Sequence, residues 1–241
     1  MVVVLINIGK YKVNHHHGAT RQERLFLGKQ LKPVIVLGAG GHAAVLIDIL
    51  KQQKRKIIAI VSPDLTQKGP IFDGIKMFFQ DEDVLKFEPE MISLVNGIGS
   101  IPGNKLRENL YKDFTDRGYH FEIVVSDNAI VSPYAKLADG VQVMAGAVVQ
   151  AGTLISENCI INTSAVIDHD CEIGCHNHIA PGATLSGGVI TGDGVHIGTG
   201  ANIIQLITVG ANVVIGAGTT ITKSVEKNTV CYPARIFIKG Y

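Results

Sequence analysis

The stretch AVIDHDCEIGCHNHIAPGATL, residues 165–185, places a branched aliphatic residue at every sixth position: Ile167, Ile173, Ile179 and Leu185. The same spacing extends over residues 131–221, and Thr191 is its one departure from a branched aliphatic. A period of six is neither that of an α-helix nor that of a simple β-strand. It is typical of a triangular solenoid in which each face takes one hexapeptide and each coil about 18 residues. The sequence therefore predicts a left-handed parallel β-helix of hexapeptide repeats, with the aliphatic side chains inside.

A different pattern precedes the repeat. Residues 34–37, 57–61 and 92–96 are short apolar runs of the kind that form buried parallel strands. Helical spacing follows the first run, so these segments predict a compact α/β arrangement. A second helix is expected over residues 105–117, and its buried stripe is predicted to consist of Leu106, Leu110 and Phe114.

These two patterns divide the chain into three segments. Residues 1–31, which contain three consecutive histidines, are interpreted as an N-terminal tail. Residues 32–125 are predicted to form a Rossmann-like α/β nucleotide-binding domain. Residues 126–241 are predicted to form the β-helix.

Composition excludes several functional classes. The chain has 241 residues, and 22 Lys and Arg residues nearly balance 21 Asp and Glu residues. This balance lacks the basic excess of nucleic-acid-binding proteins, and the absence of tryptophan argues against base stacking. No apolar run reaches the roughly 20 residues that span a bilayer, so no membrane partner is expected. Four cysteines without paired spacing are typical of a reducing compartment, which predicts a cytoplasmic protein.

The first candidate site is the glycine-rich turn after the first strand. Gly38, Gly40 and Gly41 precede His42 in a G-x-G-x-x-A pattern between a strand and a helix. Glycines there let backbone N–H groups and a helix N-terminus approach a phosphate, so these four residues are predicted to bind a nucleotide or nucleotide sugar. Asp64 is the acidic residue after the second strand. It lies further along the chain than the acidic residue that binds the ribose of NAD, and we assign it to binding of the acceptor instead. A tight turn without any ligand is the alternative.

The second candidate site is His169 with Asp170. In the six-residue register His169 points outward near a corner, and an imidazole beside a carboxylate is suited to general-base chemistry. A solvated surface histidine is the alternative. His178 and His196 lie 18 residues apart, which predicts that they stack one coil apart. Because no third ligand falls at their phase, we predict no metal.

Together these motifs resemble the sialic acid O-acetyltransferase family of NeuD/PglD type, whose members acylate sugars. The resemblance covers residues 33–235 and rests on the glycine turn, on residues 162–171 and on residues 178–188. It implies an acetyl-CoA-dependent sugar acyltransferase, with a nucleotide sugar or sialic acid as the acceptor. It also implies homotrimers with each active site between neighbouring β-helices.

The resemblance further implies roles for individual residues. His169 matches the general base and Asp170 the acidic residue that polarises it, while Asn162 matches a residue of the acceptor site. His178 and Gly187 match contacts to acetyl-CoA, and we assign His196 to the same side. Two departures stand out: Leu206 occupies a position where glycine is common, and Cys231 replaces a glycine near the CoA path.

The predicted function is acetyl transfer from acetyl-CoA to an amino or hydroxyl group of a sugar, without a metal. Two alternatives remain at this point. One is an NAD-dependent enzyme that uses the glycine turn, and the other is a non-catalytic trimeric β-helix that serves as a scaffold or binding module.

Overall fold

The computed structural model of the chain describes residues 31–63 and 69–233. The predicted tail and Asp64 therefore fall outside the described residues, apart from Leu31 at the edge of the tail. Residues from Lys32 onward belong to one compact unit.

The N-terminal layer is a parallel four-stranded sheet with strand order β3-β2-β1-β4. Its elements are β1 Val34–Leu37, α1 Gly41–Gln52, β2 Ile57–Val61, β3 Met77–Phe78, β4 Ser93–Asn96 and α2 Leu106–Asp116, with 3₁₀ turns at Pro70–Phe72 and Asp81–Lys86. The three predicted strands are present, and β3 is an additional one. Two residues are too short a run for a periodicity to reveal.

The predicted buried stripe of α2 is correct for Phe114 and for the half-buried Leu110 but wrong for Leu106. Leu106 is 51% exposed, and the buried residues of the helix are Arg107, Tyr111 and Phe114. The helix packs against the β-helix as well as the sheet: the Tyr111 ring lies 5.7 Å from the ring of His176. The second packing partner buries Arg107 and Tyr111, and so shifts the buried face away from Leu106, which apolar spacing alone selects.

The C-terminal part is a left-handed parallel β-helix, as predicted. Eighteen two-residue strands stack into three parallel sheets. Each strand pairs with the strand one coil, or 18 residues, away, as Ile161 pairs with Ile179, except in the last coil, where Val214 pairs with Val230 after 16 residues. The first face comprises β5 Val124–Val125, β8 Gln142–Val143, β11 Ile160–Ile161, β14 His178–Ile179, β17 His196–Ile197, β20 Val214–Ile215 and β22 Val230–Cys231. The second comprises β6 Ile130–Val131, β9 Val148–Val149, β12 Val166–Ile167, β15 Thr184–Leu185, β18 Asn202–Ile203 and β21 Thr220–Ile221. The third comprises β7 Lys136–Leu137, β10 Leu154–Ile155, β13 Glu172–Ile173, β16 Ile190–Thr191 and β19 Thr208–Val209.

The interior of the prism holds the aliphatic residues of the six-residue register, all of them buried except the partly buried Leu137 near the N-terminal end. Thr191 is also buried, and its hydroxyl accepts a hydrogen bond of 2.6 Å from the Asn177 side chain. Oδ1 of Asn177 in turn accepts a hydrogen bond from the Val195 N–H. Because every polar atom of this pair has a partner, the one departure from an aliphatic residue is tolerated in the core.

The first face of the β-helix packs against the α/β layer. Val124, Met144 and Ile160 join the apolar core formed by α1 and the sheet. A buried ion pair of 3.1 Å between Arg55 and Glu122 lies at the same junction. This packing brings the glycine turn and the first face close together. No helix in the described residues has the length and apolar character needed to cross a bilayer.

Candidate active site

The His169 corner, residues 168–170, follows β12. Nδ1 of His169 lies 2.8 Å from Oδ2 of Asp170, and the side chains are 63% and 72% exposed. The His169 N–H donates to Asp168 Oδ1 at 2.8 Å. Asp170 has φ of +58°, and its carboxylate occupies the space above Gly152 on the preceding coil, where a Cβ would come too close to it. The glycine one coil earlier therefore makes room for the carboxylate that orients the imidazole.

The pKa of His169 is raised above its ordinary value, mainly by the hydrogen bond to Asp170 and then by the charge of Asp168. A carboxylate only accepts hydrogen bonds, so Nδ1 carries the proton and Nε2 holds the lone pair when the ring is neutral. This geometry is suited to general-base chemistry, in which Nε2 would accept the proton.

Gly187 lies directly against the His169 ring. A Cβ on Gly187 would stand 2.6 Å from both Cε1 and Nε2 of the imidazole, a separation that no side chain tolerates. The Gly187 backbone N–H makes no hydrogen bond within the part of the chain that the structure describes. A free N–H donor beside a base is suited to stabilise an oxyanion that develops nearby.

Three other histidines form what we call the imidazole cluster: His42 in the first turn of α1, with His178 and His196 on the first face. The rings of His178 and His196 meet edge to face at 4.8 Å between centroids, so the predicted stacking is confirmed. Asn162, at the corner after β11, places Nδ2 3.1 Å from Nε2 of His178. The pKa of His178 is lowered to about 3, chiefly by burial and then by His196, His42 and Arg107. Burial also lowers the pKa of His196, and it lowers the pKa of His42 to about 4. All three rings are therefore neutral near pH 7.

The glycine turn leaves space for a ligand at two of its three glycines. Gly38 has φ of +102°, and a Cβ there would meet the Ile98 side chain at 2.8 Å. Gly40 and Gly41 face open space, because no other part of the described chain comes within 4 Å of the point where a Cβ would stand. The first turn of α1 has neither an acidic residue nor a side-chain cap. Its N–H groups are free to bind an anion. The turn also lies where the strand order reverses around β1, the usual ligand position of open α/β sheets.

Sequence reasoning missed the residues that join the glycine turn to the β-helix. His42 contacts Gln142 of the first face, with Nε2 2.8 Å from Oε1. Asn96 and Arg107 complete the junction. A cavity of about 370 Å³ opens beside it, between the loop 100–105 and the first face at His196. No local signal marks Gln142, because it looks like any outward residue of the repeat.

The predicted site residues thus form two groups rather than one. The His169 corner and Gly187 lie at the corner between the second and third faces. The imidazole cluster lies on the first face and in the first turn of α1, where His42 contacts that face, and Asn162 lies at the corner that follows the face. Within the described ranges, 31–63 and 69–233, no hydrogen bond or ring contact joins the two groups, and no set of three or more His, Cys, Asp or Glu is arranged to hold a metal ion.

A left-handed β-helix of hexapeptide coils with an exposed, carboxylate-paired imidazole at one corner defines a hexapeptide-repeat acyltransferase. Comparison with known proteins narrows this class. Residues 33–114 match the PglD N-terminal domain. The acetyltransferase domain of PglB from Neisseria gonorrhoeae FA1090 is 32% identical, with a TM-score of 0.72 over 80% of this chain and 93% of that chain. The chain therefore belongs to the PglD/NeuD-type family of sugar acetyltransferases, and it is an acyltransferase.

Two further structures are similar. PerB from Caulobacter crescentus, in complex with CoA and GDP-perosamine, is 31% identical, with a TM-score of 0.72 over 83% of this chain and 94% of that chain. The same PglB domain in complex with acetyl coenzyme A is 31% identical, with a TM-score of 0.74 over 86% of this chain and 100% of that chain.

Proposed function

We propose that this protein transfers an acetyl group from acetyl-CoA to an amino group of a nucleotide-linked sugar, with a sugar hydroxyl as the second choice. The observation that carries the proposal is the His169–Asp170 pair set against Gly187. The PglB and PerB structures support it, because they contain acetyl-CoA, or CoA with GDP-perosamine. A free sialic acid acceptor has no such support.

In the proposed mechanism, Nε2 of His169 accepts a proton from the sugar amine as its nitrogen attacks the thioester carbonyl. Asp170 holds Nδ1–H and stabilises the imidazolium that forms. The oxyanion of the tetrahedral intermediate accepts a hydrogen bond from the Gly187 N–H. Collapse of the intermediate expels the CoA thiolate, which the imidazolium protonates. A thioester is already activated, so no covalent enzyme intermediate is required.

We assign acceptor binding to residues 32–125 and acetyl transfer to residues 126–241. The free N–H groups of the glycine turn and of α1 would hold the diphosphate. Asn162 and His42 would face the sugar, whereas His178 and His196 are assigned to acetyl-CoA. The strand β5 Val124–Val125 already belongs to the β-helix, so the two functional segments meet within the first coil. The free cysteines and the use of acetyl-CoA favour a cytoplasmic setting.

We further propose that the site is completed by a second copy of the chain, in a homotrimer. The support is that His169 and Asn162 lie at different corners of one prism, with a whole face between them. A neighbouring β-helix could bring its His169 corner to the Asn162 corner. His178, His196 and Gly187 would then serve one site from two chains, with acetyl-CoA between them.

Mixed oligomers test this arrangement together with the function. His169→Ala and Asn162→Ala variants are each expected to be inactive in a thiol-release assay with acetyl-CoA and amino-sugar nucleotides. Unfolding and refolding the two variants together should restore part of the activity, because some sites combine two intact halves. Refolding each variant alone is the control. No recovery in mixed samples that are shown to contain both chains would contradict a shared site.

The NAD-dependent and scaffold alternatives are less favoured. An NAD enzyme has no use for the base at the His169 corner. A scaffold has no need for a glycine, Gly187, whose missing side chain leaves space for the His169 imidazole. Release of thiol that depends on a sugar acceptor would separate acetyl transfer from both.

A further inference from the structure

A buried glutamine determines which nitrogen of His42 carries the proton. Gln142 is fully buried, and its Nε2 lies 2.8 Å from the main-chain oxygen of Asn96. A carbonyl oxygen only accepts hydrogen bonds, so the amide nitrogen of Gln142 must face it and Oε1 must face His42. Oε1 also only accepts, at 2.8 Å from Nε2 of the imidazole. Nε2 of His42 must therefore be the protonated nitrogen.

The orientation of Gln142 is itself held by a buried polar network. The Asn96 carbonyl accepts a second hydrogen bond, 2.9 Å long, from Nη1 of Arg107. Nη1 also donates to the Ile98 carbonyl at 2.7 Å. The Asn96 side chain donates to the Arg107 carbonyl at 3.0 Å and to Oδ1 of Asn158 at 3.2 Å. Because Gln142, Asn96, Arg107 and Asn158 are all at least nine-tenths buried, turning the amide would leave several polar groups without partners.

The charges around His42 keep it neutral. Burial is the main cause of its lowered pKa, and the Arg107 guanidinium on α2 is the second. His178 faces it from the first face as an uncharged ring. Arg107 makes no ion pair among the described residues, and its hydrogen bonds all go to carbonyl oxygens. Its positive charge is therefore not cancelled by a carboxylate, and it opposes protonation of His42.

A neutral His42 with its proton on Nε2 has a lone pair on Nδ1. No residue in the described part of the chain donates a hydrogen bond to this atom. His42 lies directly after Gly40 and Gly41, beside the N–H groups proposed to hold the diphosphate. A lone pair attracts an O–H or N–H donor and repels phosphate oxygens.

We infer that Gln142 is a positioning residue that, together with Asn96 and Arg107, fixes His42 as its Nε2–H tautomer and leaves Nδ1 as a hydrogen-bond acceptor for a hydroxyl or amino group of the sugar. The ligand in this inference rests on the proposed function, whereas the tautomer rests on the contacts alone. The two parts of the turn then have different roles: the backbone N–H groups bind the phosphates, and His42 recognises a donor group on the sugar.

The tautomer is measured directly by two-bond ¹H–¹⁵N correlation spectra of the whole protein labelled with ¹⁵N-histidine. His42 is assigned by the signal that disappears in His42→Asn. We expect the neutral Nε2–H pattern for His42 between pH 6 and 8. The Nδ1–H pattern, or an average of the two tautomers, would overturn the inference without any need for a variant of Gln142.

The ligand is tested by adding GDP-perosamine to the same sample. We expect the Nδ1 resonance of His42 to move as the atom accepts a hydrogen bond, and the Nε2 resonance to stay. An unmoved Nδ1 in protein that binds the nucleotide sugar would overturn the assigned contact. Protein that binds no nucleotide sugar, with the tautomer as expected, would instead overturn the proposed function and the ligand assigned to Nδ1.

A double-mutant cycle separates positioning from packing. Gln142→Leu should raise the KM for the nucleotide sugar on the order of tenfold, the loss of about one hydrogen bond, and leave the KM for acetyl-CoA unchanged. In a His42→Leu background the same change should have little further effect, because Gln142 acts through His42. Gln52→Leu, an exposed glutamine on α1, is the matched control and should be silent. Equal losses in both backgrounds would assign Gln142 to packing and overturn its positioning role.

Discussion

The His169 corner and the imidazole cluster show that one residue type is given opposite properties by its surroundings. His169 is exposed beside Asp170 and Asp168, and its pKa is raised. His178 is buried and His42 is half-buried near Arg107, and their pKa values are lowered. A base that gains and loses a proton near neutral pH needs an exposed position beside carboxylates. Rings that must stay neutral and present fixed donors and acceptors need a desolvated position near a positive charge.

The largest expected effect comes from removing the proposed base. His169→Ala should lower turnover by about 10²–10⁴-fold, because the amine then loses its proton acceptor in the transition state. Acetyl-CoA binding and the melting temperature should change little, since the side chain is 63% exposed. The measurement is steady-state thiol release with calorimetric titration of acetyl-CoA. Near-normal turnover would remove His169 from the mechanism.

A smaller effect is expected for Asp170→Asn, on the order of tenfold in turnover, because the imidazolium loses about one hydrogen bond to a charged partner. The carboxylate raises the pKa of His169, so its loss should lower that pKa. In the proposed mechanism the basic form of His169 is the active one, so the acidic limb of the kcat/KM profile should move to lower pH. A profile that moves to higher pH, or not at all, would show that Asp170 does not tune the base.

The imidazole cluster should make the fold sensitive to acid. His42 and His178 have folded-state pKa values of about 4 and about 3, against an ordinary 6.5 in the unfolded chain. Below pH 6.5 the unfolded chain binds protons that the folded chain excludes, so stability should fall as the pH drops from 6.5 towards 4. Thermal melts across this range provide the measurement.

His42→Leu should remove part of that acid sensitivity. His169→Ala is the control and should leave the loss in place, since the pKa of His169 is shifted in the other direction. An unchanged slope in His42→Leu would show that this ring does not resist protonation.

The smallest effect concerns the corner one coil beyond Gly188. Leu206 has φ of +59° and is 78% exposed, with its side chain lying on Gly188. A left-handed conformation costs a residue of this kind roughly 1–2 kcal/mol. Leu206→Asn should therefore stabilise the fold by about 1 kcal/mol and raise the melting temperature by a few degrees.

The matched control is the reverse exchange, of asparagine for leucine, at Asn212. Asn212 has φ of +57° at an equivalent corner and donates to Asn228. Asn212→Leu should destabilise the protein, because the strain appears and the hydrogen bond is lost. If Leu206→Asn were instead destabilising, the leucine would be held by contacts outside the single chain.

Much of the His169 corner could be predicted from the sequence because it is local. The six-residue register places Ile167 inside, and two positions later His169 must leave the prism. Asp170 is its immediate neighbour. Likewise, residues 18 positions apart stack on successive coils, which predicted that His178 meets His196.

The burial of α2 and the environment of His42 were decided by the tertiary structure alone. Gln142 lies 100 residues from His42, and Arg107 bonds Asn96 and Asn158 from two other elements. No period relates these positions, and each side chain taken singly is a polar residue expected at a surface. They became a buried network only because the α/β layer covers the first face of the β-helix. The sequence by itself thus determined the repeat, its register and the exposed position of His169 beside Asp170, since those follow from near neighbours along the chain. Only packing between the two layers decided which histidines stay neutral and which nitrogen of His42 holds the proton, because desolvation and hydrogen-bond partners come from segments distant in sequence.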